Sequence, residues 1–383
     1  MTFTFVSNYI NHHQKPFCDA MYEVLGEAFT FIATMPMDEE RIAMGWDESL
    51  VSLPYVRLLY KDIAAEQLIM DSDVVLFGWS EREDIAQKRL LSGKTTLRVS
   101  ERLYRDGRYK AISPRGLVAK YHEHIKFRKQ PVYLLCAGAY TAEDFALIHA
   151  YPGKMLKWGY FPPLRTLSWE ELSNKKNMDA GIQIVWAGRF IPLKHPEFVC
   201  RLASKLKSRG NLFHIHMVGS GEMEAELKRQ IEADGLSDYI TMYGFKTPDE
   251  VRDIMEQCHV HLCTSNQLEG WGAVVNEGMN SGCVEIVSDR MGATPFLIED
   301  GINGLTYSRD SYEELESRLL QVIDNWEEYR LLGENAWKTI IEEWNAKVAA
   351  DRLLSFCGEL LERSTEPNLP VSGPLSKAPI LKL

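Results

Sequence analysis

Short apolar runs alternate with amphipathic stretches almost from one end of this chain to the other, and that alternation leaves few folds open. In the first half FTFVS, FTFIAT, VRLLY, VVLFGW, TTLRVS, VYLLCAG and KMLKWGY read as strands. Helical stretches such as CDAMYEVLG, AAEQLIMD, EDIAQKRLL and TAEDFALIHAY separate them. The second half restarts the pattern with IQIVWAGR, LFHIHMVGSG, YITMYGF and HVHLCTS. Strands that are apolar throughout and joined by helices belong to parallel sheets covered on both faces. The pattern therefore predicts an α/β chain with two Rossmann-like domains, their parallel sheets facing a central cleft. The first domain should span 1–163. The Pro-rich, then polar stretch around 164–180 reads as a linker, and 181–345 as the second domain. From 364 to 383 four prolines and little pattern predict a loose tail.

A length of 383 residues gives each domain enough chain for its own core. Charged residues at 25% and hydrophobic ones at 45% are ordinary for a globular protein. No run approaches the ~18 apolar residues of a membrane-spanning helix. The start MTFTFVSNYI lacks a basic segment before an apolar one, so it reads as a first strand and not as a signal peptide. Seven scattered cysteines, an odd number set mostly in apolar runs, point to core packing in a reducing compartment. The cytoplasm is the expected location.

The richest chemistry lies in NQLEGWGAVVNEGMNSG, where Glu269 and Glu277 stand eight apart. An apolar strand precedes this stretch, a Gly-Trp-Gly turn follows Glu269, and a small-residue helix carries Glu277. Unpaired N–H groups at the start of such a helix suit a phosphate. The two carboxylates repel phosphate and are better placed to accept hydrogen bonds from hydroxyls. Phosphate beside hydroxyls describes a nucleotide-linked sugar. A glycosidase acid pair is the rival, but eight helical residues at ~1.5 Å each separate the backbones by roughly 12 Å, beyond the ~5–9.5 Å such pairs need.

Positive groups stand upstream. The strand IQIVWAG runs into Gly188 and Arg189, with Lys194 five residues on. A guanidinium fork and an ammonium at a strand's carboxyl end are what a diphosphate requires. The turn VGSGE, with Gly219 and Gly221, closes the next strand in the same way. Two cations can take the place of Mg²⁺, so no metal and no cofactor is expected. Asp71-Ser72-Asp73 is explained as a helix-to-strand turn. The pairs His122/His124, His214/His216 and His259/His261 share strand or turn faces but lack an evident third ligand. No G-x-G-x-x-G follows either domain's first strand, which argues against a dinucleotide oxidoreductase.

From about Gly181 to Trp344 the chain resembles family-four glycosyltransferases of the GT-B fold, whose C-terminal half carries an E-x7-E element, here EGWGAVVNEGMNSG, before CVEIVSDRMGATPFLIEDGINGLTY. AGRFIPLK matches that family's GR-x(4)-K element. The resemblance implies a retaining, metal-independent transfer from a nucleotide-diphosphate sugar to a glycan or lipid-linked acceptor, of the kind used in bacterial surface polysaccharide or glycoconjugate synthesis. Arg189 and Lys194 would grip the diphosphate, Glu277 the ribose hydroxyls, and Glu269 would face the donor sugar. Backbone N–H groups of Gly270, Trp271, Gly272 and Ala273 would meet sugar and phosphate, and Gly244, Phe245 and Lys246 would border the base. A helix near 346–363 would pack back on the first domain. The alternatives are a non-catalytic nucleotide-sugar-binding subunit, or a phosphorylase or epimerase on the same scaffold.

The first half departs from that family. In place of a glycine-rich loop after strand one it has Asn8 to Pro16, making His12 and His13 candidates for donor phosphate or acceptor. Where relatives place a histidine beside the sugar, Ser100-Glu101-Arg102 stands, so Glu101 and Arg102 are cleft candidates. Net charge is −11, yet Arg98 to Lys129 holds ten basic residues against Glu101, Asp106 and Glu123. Four aromatic residues interleave them. Such a segment suits an anionic membrane surface, giving a peripheral enzyme at the inner face, while the acidity of the whole chain argues against nucleic acid.

Overall fold

A computed structural model describes the chain except for residues 44, 45, 106, 309, 310, 363–366 and 383. Asp106 of the basic segment, Arg363 at the expected end of the last helix, and 364–366 of the tail lie outside the described residues. The chain divides into two compact units, Met1–Pro163 with Trp344–Leu383, and Leu164–Glu343.

The first unit is built on seven strands: β1 (Phe3–Ser7), β2 (Phe29–Ala33), β3 (Val56–Leu58), β4 (Val74–Phe77), β5 (Thr96–Ser100), β6 (Val132–Ala137) and β7 (Met155–Trp158). They lie in the order β3-β2-β1-β4-β5-β6-β7, and every pair is parallel. The apolar runs became strands because both of their faces are covered: all five residues of β1 and all four of β4 are buried. One buried charge holds the lower edge of this sheet. Arg89, fully buried, donates to the carbonyls of Ile69, Met70, Ser72, Asp73 and Thr95. It binds five carbonyls together, at the end of the helix Ala65–Asp71 and at the entries of β4 and β5. The Asp71–Asp73 turn sits at that same edge: Asp73 Oδ2 accepts from Thr2 N at 2.8 Å, and Ser72 pairs with Thr4. It staples the entries of β1 and β4, at the end of the sheet opposite to where α/β ligands sit.

The helix Ala346–Leu361 belongs to this unit and packs against the helix Lys15–Leu25. The expectation of a loose tail is not met. Leu375 and Ser376 are buried, Leu375 N donates to Lys157 O at 2.9 Å, Lys157 N to Ser376 O at 2.7 Å, and Ala378 N to Met155 O at 3.0 Å. The tail thus runs antiparallel along the outer edge of β7. Its prolines fit because an edge strand needs only alternate N–H groups.

The second unit has six strands: β8 (Ile182–Ala187), β9 (Phe213–Val218), β10 (Ile240–Met242), β11 (Val260–Cys263), β12 (Val284–Ser288) and β13 (Leu305–Tyr307). Their order is β10-β9-β8-β11-β12-β13, again all parallel. The supposed linker 164–180 is in part this unit's first helix, Trp169–Lys175, started by a reciprocal capping box between Ser168 and Glu171. Its Leu172 is buried, and Trp169 lies 6.4 Å from Trp337. The Ser-x-x-Glu spacing was visible in the sequence, but the polar composition around it hid the helix.

Candidate functional site

In the order β10-β9-β8-β11 the chain leaves β8 toward β9 on one side, while β11 flanks β8 on the other. That reversal opens a crevice at the carboxyl ends of β8 and β11, the usual ligand position in an open α/β sheet. The loop after β8 carries Arg189 and Lys194, and the loop after β11 carries Glu269.

The loops after β8, β9 and β10 are zipped side by side. Gly188 N donates to Val218 O, Phe190 N to Ser220 O, and Gly219 N to Gly244 O, all at 2.9 Å. This approach explains the VGSGE glycines. A Cβ on Gly219 (φ +133°) would stand 1.9 Å from Gly188 O, and one on Gly221 (φ +158°) 2.5 Å from Phe190 O. Both are therefore glycine for packing, to let one loop lie on the next. Gly244 has φ +69° with open space around it. Beyond it Phe245 is exposed, and Lys246 pairs with Glu250 at 3.0 Å.

Lys194 crosses the crevice. Its Cδ passes 3.7 Å from where a Cβ on Gly188 would be, and its ammonium pairs with Glu269 Oε2. The charges touch without an aligned hydrogen bond, and both side chains are largely buried. The loop around Lys194 is held by groups the sequence did not flag. Thr264 Oγ1 donates to Lys194 O while accepting from the buried Trp186 indole at 2.8 Å, and Asn266 N donates to Leu193 O at 2.9 Å. Trp186 and Thr264 lie 78 residues apart, so no local pattern announces their contact. Arg189 is exposed, and its side chain makes no ion pair or hydrogen bond among the described residues.

The helix Val274–Asn280 carries the second glutamate. At the turn before it, the N–H groups of Gly270, Gly272, Ala273 and Val274 donate to no protein acceptor among the described residues. Gly272 needs its φ of +88°, and a Cβ there would meet Met291 Cε at 2.5 Å. Trp271 turns inward, and its carbonyl accepts from Ala293 N at 2.9 Å. Its side chain is core, with the indole donating to Asn276 Oδ1 at 2.8 Å. Glu277 is half-buried, and its carboxylate accepts no hydrogen bond among the described residues. Burial pushes its carboxyl up from the ordinary value, while Arg252 and then His261 pull it back. Arg252, buried, binds Asn280 Oδ1 at 2.6 Å and Ser281 Oγ at 3.1 Å. The signal missed was an arginine on the apolar face of the helix Pro248–Met255, three residues before the buried Met255.

In the first unit the equivalent reversal lies between β1 and β4. His12 and His13 follow β1 and sit among aromatics: His12 edge-on to Trp46 at 4.8 Å, and His13 stacked on Tyr160 at 5.6 Å. Burial lowers His12, and burial with the charge of His12 pushes His13 down to about 3. Burial thus disfavours a charge on the His13 ring. Glu101 joins this cluster, accepting from Tyr160 OH at 2.6 Å and pairing with Arg105 at 3.4 Å. Arg102 does not. It is buried against Asp144 at 3.3 Å, and Asp144 also accepts from Tyr104 N at 2.9 Å. The cleft assignment of Arg102 is corrected to a core ion pair, formed with a partner 42 residues away.

Of the paired histidines, exposed His122 has a ring contact with Tyr121, and the other five bond within the fold; His261, expected to lack further ligands, has Cys263 and Glu285 within 4.8 Å. His124 bonds Tyr151 OH at 2.8 Å, His214 bonds Thr241, and His216 bonds Tyr243 OH and Gln183, both at 2.9 Å. His259 accepts from Gln183 N at 2.9 Å, and His261 meets Glu285 at 2.9 Å.

Residues 169–339, nearly the whole second unit, match the family described as "Glycosyl transferases group 1". An uncharacterized glycosyltransferase of Methanocaldococcus jannaschii is 28% identical over 167 residues, 43% of this chain and 44% of that one. The amylovoran biosynthesis glycosyltransferase AmsK of Erwinia amylovora is 26% identical over 206 residues, 52% of this chain and 45% of that one. The chain thus spans under half the length of either relative. Among solved structures, Anabaena HepE, crystallised with UDP and glucose, superposes with a TM-score of 0.66 at 13% identity over 95% of this chain and all of that one. A glycosyltransferase from Rickettsia africae superposes with a TM-score of 0.69 at 12% identity over 95% and 99%. At such identities the likeness shows the fold, and that fold is GT-B.

Proposed function

We propose, from the premise of a group 1 glycosyl transferase domain on a GT-B scaffold, that this chain moves a sugar from a nucleoside-diphosphate sugar to a glycan or lipid-linked acceptor with retention of configuration. The observation that carries this reading is the set of groups around the β8/β11 crevice. Lys194 and Arg189 are the cations available for a diphosphate. Beside them are four backbone N–H groups without acceptors among the described residues and two carboxylates, Glu269 and Glu277, suited to hydroxyls. Transfer then rests on positioning and on stabilising the charge that develops on the leaving diphosphate. In retaining transfer by front-face attack, the departing phosphate oxygen takes the acceptor's proton, so no side chain need act as general base. Lys194 meets the leaving diphosphate, and its present partner Glu269 turns to the sugar. The two cations serve where a divalent metal would otherwise be used.

The direct test is a thermal-shift screen against nucleoside diphosphates and their sugars. A ligand at a hundred times its Kd should stabilise the protein by roughly 2.7 kcal/mol. The response should weaken in Glu277→Gln, which removes an anionic acceptor. No response to any nucleotide in the panel would refute the reading.

The lipid-linked acceptor and the peripheral location are supported by the surface of the first unit, although only part of the basic segment lies there. Arg98 and Arg102 are buried in ion pairs with Glu83 and Asp144. What remains is the helix Pro114–Glu123 and its approach, where Tyr109, Ile112, Val118 and Tyr121 are each at least half exposed beside Lys110 and Arg115. Exposed apolar side chains among cations suit an anionic lipid interface. No helix among the described residues is long and apolar enough to cross a membrane. Vesicles containing phosphatidylglycerol should co-sediment the protein. Reversing Lys110, Arg115 and Arg128 to glutamate should lower partition about a hundredfold or more. Equal sedimentation with neutral vesicles would remove the membrane from the proposal.

A further inference from the structure

Two charged side chains face one another in the middle of the second sheet, where every other position invites an apolar residue. His261 on β11 is in register with Glu285 on β12, both fully buried, Nδ1 to Oε2 at 2.9 Å. Their neighbours along the strands are Val260, Leu262, Val284 and Ile286. A buried ion pair is a poor way to gain stability, since an apolar pair of the same volume serves as well or better. Its position suggests another task. Above it lies Gly278, the residue after Glu277, and the helix backbone rests directly on the pair. A Cβ at Gly278 would stand 2.2 Å from Glu285 Oε1 and 2.3 Å from His261 Nδ1. At the far end of the same helix, Arg252 holds Asn280 and Ser281.

We infer that the His261–Glu285 pair is a positioning device for Glu277: it seats the motif helix and so fixes the carboxylate that accepts the donor's hydroxyls. The inference rests on the donor-site reading above. Burial alone would strip the imidazole of its proton, but the adjoining Cys263 and Glu285 outweigh it and hold His261 well above the ordinary imidazole range. Glu277 lies within reach of that charge and of Arg252. Both oppose the upward push of burial on the Glu277 carboxyl. Glu285 is the counter-ion that keeps the arrangement neutral overall. Cys263 completes the cluster at 3.6 Å from the imidazole.

The test replaces the pair together, as His261→Leu with Glu285→Met. The melting temperature should hold or rise, while affinity for the nucleoside diphosphate picked out by the screen falls about fivefold or more. In a Glu277→Gln background the same double replacement should cost nothing further, a non-additivity that a merely structural role would not produce. Should the double variant not fold, Glu285→Gln keeps the hydrogen bond and removes the counter-charge, and it should lower affinity about threefold. Three results would overturn the inference: wild-type affinity in the folded variants, full additivity with Glu277→Gln, or stoichiometric zinc in the purified protein. The last would make His261, Cys263 and Glu285, whose ligand atoms lie within 4.8 Å of one another, a metal site instead. If Glu277→Gln alone leaves affinity unchanged, the donor-site reading itself fails and takes the inference with it.

Discussion

Lys194→Ala is expected to lower kcat/KM with the selected sugar nucleotide by about 10²–10³-fold, the usual loss when one donor to a developing anion is removed. The loss should fall on kcat as well as KM, because the ammonium meets more charge in the transition state than in the bound donor. Lys194 already touches Glu269, so the ligand-free site spends its main cation on an internal partner. A diphosphate must displace that carboxylate before it gains the lysine. Glu269→Gln should therefore act in the opposite sense on binding: tighter for the free nucleoside diphosphate, because repulsion and competition are both relieved, yet slower in turnover. Isothermal titration and steady-state kinetics on the two variants separate these effects. Near-normal kcat/KM in Lys194→Ala would reject the assigned site.

Gly219→Ala should be the most damaging single methyl group in the second unit. At φ +133° the added Cβ would stand 1.9 Å from Gly188 O, an overlap with backbone that no rotamer relieves. A loss of about 3 kcal/mol or more is expected in chemical denaturation. The control is Gly244→Ala, also at positive φ (+69°) but with nothing near its Cβ, which should cost only the ~1–2 kcal/mol of a left-handed conformation. Equal destabilisation by the two would show that the loop contact across Gly188 is not what makes Gly219 necessary. The sequence placed these glycines in a strand-closing turn beside the groups read as diphosphate-binding. The geometry gives them a prior duty, bringing the loops after β8 and β9 into register so that the Arg189–Lys194 segment has a floor.

Much of the architecture was legible because burial on both faces of a parallel sheet writes an uninterrupted apolar run into each strand. All eleven runs read as strands contain strands, with ends within a few residues. The glycine-rich turn and its two glutamates were legible for a similar reason, since strand, turn and helix are contiguous there. Where the reading failed, the partner was remote. Arg102 looked like a free cation at a strand end until Asp144 arrived from another helix. The tail looked unstructured because its hydrogen-bond acceptors are on β7, more than 200 residues earlier. His259 and His261 formed one sequence pair, yet they turn to different partners, Gln183 and Glu285.

The amino-acid order by itself indicated most of the strands and helices, that two βα layers follow one another, and where phosphate- and hydroxyl-binding side chains cluster. These are matters of periodicity and of side-chain chemistry, which a neighbouring handful of residues settles. Only the tertiary structure decided which charges remain available. It paired Lys194 with Glu269, consumed Arg102, and set His261 and Glu285 beneath Glu277. A charge's role depends on what lies within a few ångströms of it, and in a wound sheet those neighbours come from strands and loops tens of residues away.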